Sequence, residues 1–493
     1  MASYVIGLDL GTSQTKVCVY NKNLNSRRFI KYKDSYFFPT LIVEKEDNTL
    51  DYCDETVTGK KHMYFKMSAA EDERLIVATN ENMMGQLPNE QTMDMMSKYK
   101  VYHELKSDYL VILYIAYILL YVKKNINDNA NNNVGGALGR LIGGGNTNAE
   151  ENDFSVNLGI PTEWHNPEHI KIKIKFQTLL LTAAILSQEF ENIQAFRHKT
   201  KNNLITKIEK INRQLLGEIE NLEQDKKKQK INELLSKFKL SVFPESAAGL
   251  NYLLRTQRLA NGYYASLDIG AGTSDIAIFQ VNMNSLSRYF CSESVEIASN
   301  DIYRECINKL DCGDSTDFEN IKIMQERIKI AEDLNEKIYF ESQTLIQKKL
   351  EFIIRKTFYR KFFRPTHSSN NPLAMNVKRA LNQNPIILLG GGANFNELNN
   401  RYIYSLPTNY KDNPLFLEPN RVSDYLENVG DAVDGFDEID NNVKNLLILS
   451  LGLSYIETGS NYIPFTIEHE WINEENLSTD FYNYYDIQEA VYK

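Results

Sequence analysis

Residues 4–20 read YVIGLDLGTSQTKVCVY, and at residues 263–281 a closely similar string returns as YYASLDIGAGTSDIAIFQV. Each begins as an apolar strand, reaches an aspartate (Asp9, Asp268), turns through glycine with Thr or Ser, and resumes as a second apolar strand. Glycine permits the tight turn and a close approach of backbone to something bound there, so each string predicts a β-hairpin with a ligand-facing turn. Two such hairpins in one chain predict two similar lobes.

The residue types in these turns suit a phosphate chain, which needs backbone N–H groups and hydroxyls at close range. Gly11, Thr12 and Ser13 supply them in the first turn; Gly270, Gly272, Thr273 and Ser274 do so in the second. Mg²⁺, the usual companion of a nucleotide, keeps several waters and is held by one or two carboxylates. Asp9 and Asp268 stand at the strand ends where those waters would lie, and Asp275 adds a third carboxylate.

Composition narrows the field. With 493 residues, 42% hydrophobic and 24% charged, the chain is long enough for two to four soluble globular domains. A formal net charge of -10 argues against a nucleic-acid or anionic-membrane surface, so no nucleic-acid partner is expected. Five cysteines (Cys18, Cys53, Cys291, Cys306, Cys312), odd in number and without a C-x-x-C pair, read as reduced thiols of a cytoplasmic protein. The N-terminus lacks a basic region, and Asp9 interrupts the apolar stretch a signal peptide would need. The run Tyr109 to Val122 falls short of the roughly 20 residues that span a bilayer and predicts a buried helix, with no membrane span.

Other segments punctuate the chain. The Asn- and Gly-rich residues 125–153 predict a surface loop, since the Gly-Lys-Ser/Thr ending of a P-loop is missing. From Thr200 to Phe238 the pattern is helical: Leu204, Ile208, Ile211, Leu215, Ile219 and Leu222 make one narrow stripe, and Ile231, Leu234, Leu235 and Phe238 resume it after three lysines. A helical hairpin follows, either a partner-binding arm or an element packed on its own domain. His165 and His169, four apart around Glu168, follow Pro161 without the glutamate position of a metalloprotease and read as surface residues. The Tyr-rich C-terminus, DFYNYYDIQEAVYK, reads as a docking tail or a peripheral end.

The order of features resembles the actin, hexokinase and heat-shock-chaperone ATPase superfamily, with nearest likeness to the nucleotide-binding domain of DnaK-type chaperones. GLDLGTSQTKV is similar to that family's first phosphate loop and LDIGAGTSDIAIF to its second. VNLGIPTEWHNPEHIKIKIK, from Val156, resembles the first connecting segment, VFPESAAGLNYLL the NEPTAAALAY stretch, NPIILLGGGANFNEL the adenosine motif, and NLLILSLGLSYI, loosely, the second connecting helix. The resemblance runs in order from about residue 4 to residue 456. It implies two lobes, each a mixed β-sheet flanked by helices in a ribonuclease-H-like duplication, with ATP or ADP and Mg²⁺ in the cleft between them. Residues 1–262 and 440–493 would form lobe I, and 263–439 lobe II.

The resemblance also assigns roles. Asp9 and Asp268 would hold Mg²⁺ through water, while Gly11, Thr12, Ser13, Gly270, Gly272 and Thr273 would hold phosphates. Glu245 would order the metal's waters, Asp275 would stand near the attacking water, and Lys66 would counter γ-phosphate charge. Gly390, Gly391 and Gly392, with Asn394 nearby, would let the adenosine lie against backbone. The chain departs from the pattern at Ala298 and Ser299, where the chaperones have a Gly-Gly pair, and the adenine-clasping helix has only a diffuse counterpart around Glu332 and Lys337.

Residues 457–493 are too few for the peptide-binding domain and lid of a full chaperone, so client refolding within this one chain is not expected. The implied function is a slow, Mg-dependent ATPase switch that opens and closes its lobes to regulate a protein partner. The alternative is an actin-like ATPase that self-associates into nucleotide-dependent filaments. A small-molecule kinase ranks last, because no acceptor-base motif is evident.

Overall fold

A computed structural model describes residues 3–70, 105–134, 153–165, 169–217, 223–255, 259–282, 285–295, 297–313, 320–321, 323–325, 336–357, 384, 386–394, 405–406, 415–416, 419–421 and 433–456. Of the predicted loop over 125–153, residues 125–134 are instead the end of a helix; residues 135–152, Glu332 and the Tyr-rich C-terminus lie outside the described residues.

Both predicted hairpins form. In lobe I, β1 (Ser3–Leu10) pairs antiparallel with β2 (Gln14–Asn21), leaving Gly11, Thr12 and Ser13 as the turn. β2 pairs onward with β3 (Ser26–Phe29) and with the short β4 (Phe38–Pro39). A small sheet of β5 (Ile42–Glu44), β6 (Leu50–Tyr52) and β7 (Lys60–His62) follows, then α1 (Ser107–Val134) and β8 (Asp153–Ile160). A 3-10 turn, Thr162–His165, leads to α2 (Ile170–Gln188), α3 (Ile193–Arg197), α4 (Lys201–Leu216), α5 (Gln224–Lys237), β9 (Leu240–Pro244) and α6 (Glu245–Arg255).

Lobe II repeats the plan. β10 (Gly262–Ile269), β11 (Ser274–Asn282) and β12 (Ser285–Val295) form an antiparallel meander, followed by α7 (Ser299–Leu310), α8 (Glu336–Thr357) and β13 (Ile386–Leu389). A 3-10 turn, Gly391–Asn394, precedes the short β14 (Ser405–Leu406), β15 (Leu415–Phe416) and β16 (Pro419–Arg421), and α9 (Asn441–Ser454) closes the described chain. The main sheets run β3-β2-β1-β8-β9 and β12-β11-β10-β13-β16. In each, three antiparallel strands are followed by two parallel ones, so the duplication inferred from two strings extends to whole sheets.

The central strands have helices to cover them, which is why β1 reads as a nearly unbroken apolar run and is buried from Tyr4 onward. α1 extends beyond the apolar run that predicted it. Its window Ser107–Asn127 is apolar and long enough to cross a membrane, yet 72% of that window is buried inside the protein. α4 and α5, the two helices expected over this stretch, both rest on α2, and the residues that join them, 218–222, lie outside the described ones. Leu204, Ile208, Ile211, Ile231 and Leu235 are buried in the lobe I core, each worth about 1.5–3 kcal/mol on burial. Ile219 and Leu222 lie outside the described residues.

α9 leaves lobe II and lies on β1, β2 and β8 of lobe I, crossing α6 on the way. The buried Asn157 of β8 ties down its C-terminal end, with Nδ2 donating to the carbonyls of Leu453 (2.8 Å) and Ile456 (2.6 Å). Those carbonyls would otherwise be orphaned at the helix end.

Candidate nucleotide site between the lobes

The register of the two hairpins decides what faces the cleft. Asp9 stands directly across from Lys16 in the β1–β2 pair, and Asp268 stands across from Asp275 in the β10–β11 pair. Equivalent positions therefore carry a cation in lobe I and a carboxylate in lobe II. Lys16 Nζ is 3.1 Å from Asp9 Oδ2.

Glu245 opens α6 directly after Pro244 ends β9, which puts its carboxylate at a strand end beside Asp9. Lys66 arrives from a helical segment over residues 65–70, following Tyr64, whose φ of 57° turns the chain inward. Its ammonium donates to Glu245 Oε1 at 2.8 Å and lies 5.9 Å from the centre of the buried Trp164 ring. Asp9, Lys66, Glu245, Asp268 and Asp275 are each no more than 7% exposed, so charges of both signs are held out of bulk water.

Burial raises the pKa values of Asp268, Asp275 and Glu245. Asp268 is pushed well above its ordinary range by burial and then by the charges of Glu245 and Asp275. Asp275 is raised to about 7, again by burial first and Glu245 second. Glu245 is also raised by burial, with Lys66 opposing. Four carboxylates against two ammonium groups leave an excess of negative charge that a divalent cation would neutralise. Asp275 Oδ1 is buried with no hydrogen-bond partner among the described residues. The described residues hold no cluster of His, Cys, Asp and Glu tight enough to ligate a metal directly. This donor set fits Mg²⁺ held through its own waters.

The phosphate turns meet across the cleft. A Cβ built on Gly272 would lie 3.0 Å from Thr12 Cγ2, and Asn300 Nδ2 of lobe II reaches Ser13 Oγ at 3.5 Å. Gly11, Thr12, Ser13, Gly270 and Thr273 line a cavity of about 230 Å³, while Gly272 is spent on the contact with Thr12. That is below the usual ~300–1,000 Å³ of a small-molecule site, so this closed cleft matches a phosphate chain more nearly than a whole nucleotide. At the departure from the chaperone pattern, Ala298 and Ser299 are small enough for α7 to abut the second turn. The Ser299 and Asn300 N–H groups donate to Gly270 O and Ala271 O, each at 3.1 Å, and Ser299 Oγ donates to Gly270 O at 2.8 Å.

The glycine run divides. Gly390, with φ 78°, and Gly391 line the cavity, and a Cβ on Gly390 would sit 2.4 Å from Asp268 Oδ1. Gly392 does not line it: its Cβ would strike Ile269 Cγ2 at 2.1 Å, so it is a packing glycine. Asn394 is likewise turned away, donating from Nδ2 to Asn442 O at 3.0 Å. His165 is half-buried rather than on the open surface, its Nε2 enclosed and without a hydrogen-bond partner among the described residues; burial drives its pKa well below normal and Lys173 adds to the effect. His169 pairs with Glu163 (Nε2–Oε1, 3.2 Å).

Lys16, Asn300, Tyr303 and Gln325 also line the cavity and were missed in the sequence. Lys16 had a signal, because D-x6-K in the first hairpin matches D-x6-D in the second. Gln325, whose Nε2 donates to Asn300 Oδ1 at 3.3 Å, had none.

Two sheets of one design, with phosphate-type turns at equivalent strand ends facing one cleft, define the actin-like ATPase fold. No family model matches the chain, and no curated protein matches it. Two solved structures are similar over 92% of this chain: a non-polymerisable quadruple mutant of the ParM protein pCBH, at 14% identity and TM-score 0.40 over 98% of its own length, and a 15-stranded ParM filament from Clostridium botulinum, at 15% identity and TM-score 0.41 over 99%. With likeness this low, the fold assignment rests on the strand order and the paired hairpins.

Proposed function

We propose that the chain is an Mg-dependent, actin-like ATPase whose nucleotide state governs self-association into filaments. The observation that carries the ATPase reading is the unequal pair of hairpins: Asp9 opposite Lys16, and Asp268 opposite Asp275, meeting at one buried cleft. Backbone N–H groups and hydroxyls of the two turns would hold the phosphates. Lys16 and Lys66 would offset charge developing on them in a water-poor site, where such interactions are strongest. Mg²⁺, held through water by Asp9 and Asp268 with Glu245 ordering the shell, would supply charge neutralisation. Asp275, with its raised pKa, suits the task of taking a proton from water near neutral pH.

The preference for self-association over a partner-regulating switch rests on α4 and α5. Leu204, Ile208, Ile211, Ile231 and Leu235 of their apolar stripe, the face a partner would grip, are buried in the lobe I core.

Phosphate release and light scattering, followed together, test both halves. ATP with Mg²⁺ should give steady phosphate release, abolished by EDTA, and a scattering rise that ADP does not give. No release removes the ATPase reading. Release without any ATP-dependent size increase over a wide concentration range removes the filament reading and returns the partner switch.

A further inference from the structure

Three consecutive residues of the turn after β8 reach three different parts of the site. Thr162 Oγ1 lies 2.6 Å from Ser246 Oγ and accepts from Ser246 N–H at 3.2 Å, fixing the residue beside Glu245. Trp164 is wholly buried beneath Lys66. Between them, Glu163 crosses to lobe II, where its Oε2 accepts from Ser294 N–H at 3.1 Å. Ser294 is directly opposite Asp275 in the β11–β12 pair, and β12 is an edge strand whose outward N–H groups need partners from outside the sheet. His169 holds the other oxygen of Glu163.

We propose that Glu163 is a positioning residue for hydrolysis: by gripping Ser294 across the lobe boundary, it sets Asp275 against Glu245 and Lys66. It touches none of the reacting atoms. The inference rests on the ATPase reading above.

The test uses the full chain, with phosphate release measured against ATP concentration and nucleotide binding followed with a fluorescent ATP analogue. Glu163→Ala should lower kcat by about 10- to 100-fold, as small misplacements of catalytic groups do, with KM and binding little changed. Glu163→Gln should recover most of the turnover, because its amide oxygen can accept the same N–H. Glu163→Asp keeps the charge but withdraws the acceptor by one methylene, and should resemble Ala; it also stands in if Ala fails to fold. Wild-type kcat in Glu163→Ala and Glu163→Asp overturns the proposal, as does a folded Glu163→Gln no better than Ala, or a loss confined to binding. A wild-type chain that binds the analogue but releases no phosphate defeats the ATPase reading itself, and this inference falls with it.

Discussion

Asp275→Asn is expected to lower ATP turnover by about 10²- to 10⁴-fold, the usual worth of a general base, while nucleotide binding survives. The reason is geometric as well as electrostatic. Asp275 is on the lobe II strand opposite Asp268, buried, with one oxygen left without a hydrogen bond, and Asn keeps its shape but cannot take a proton. Its carboxyl is raised from the ordinary 3.8 to about 7, so the wild-type kcat should climb as pH rises through neutrality. Stability should move the other way. A raised folded-state pKa means that the fold favours the protonated acid, so this group's contribution is fully present below its ordinary value and is lost as pH rises through about 7. Mild acidification should therefore slow turnover and, as far as Asp275 is concerned, raise the Tm of the nucleotide-free protein. At saturating Mg²⁺ the acid limb should move to lower pH, because a cation favours ionised carboxylates. A kcat profile flat across neutral pH, or wild-type turnover in Asp275→Asn, would remove Asp275 from this role.

Much of this site was legible in the sequence because hairpin turns are local. Strand alternation, an aspartate and a glycine turn locate Asp9, Asp268 and the phosphate-type loops without knowledge of the rest of the chain. Lys16 was equally local and was overlooked, since its meaning lies in the cross-strand register rather than in the turn. Side chains delivered by distant segments were harder to read. Lys66 enters the site only because Tyr64 turns the chain with a positive φ, and Asn300 enters because α7 abuts the second turn. The run Gly390, Gly391, Gly392 is uniform in sequence, but a 3-10 turn points successive residues in different directions. One glycine must clear Asp268, the next faces the cavity, and the third packs on Ile269. His165 read as a surface residue because it follows Pro161 without the glutamate position of a metalloprotease; the turn that buries Trp164 leaves His165 half-buried. The return of α9 to lobe I depends on contacts between residues more than 200 apart, which no local pattern encodes.

Gly452→Ala is expected to destabilise the whole chain, although Ala is the better helix former by about 1 kcal/mol. Gly452 lies on α9 where it crosses α6, and a Cβ there would fall 1.6 Å from the carbonyl oxygen of Ala248. That oxygen belongs to the backbone of α6 and cannot rotate away, so the helices must separate. Separation would strain the Asn251 Nδ2 bond to Gly452 O at 3.1 Å and the two Asn157 bonds that hold the helix end. Overpacking of this kind costs about 1–3 kcal/mol and sometimes more. With backbone rather than side chain in the way, the upper end is expected, lowering Tm by roughly 3 °C for a chain of 493 residues. Gly249→Ala supplies the comparison, because its Cβ would meet the ends of Leu389 and Leu449 at 2.9 and 3.1 Å, side chains that can shift. Gly249→Ala should therefore cost clearly less than Gly452→Ala. If the order is reversed, or Gly452→Ala melts no lower than wild type, then α6 and α9 do not cross this closely, and the join between the lobes depends on other contacts.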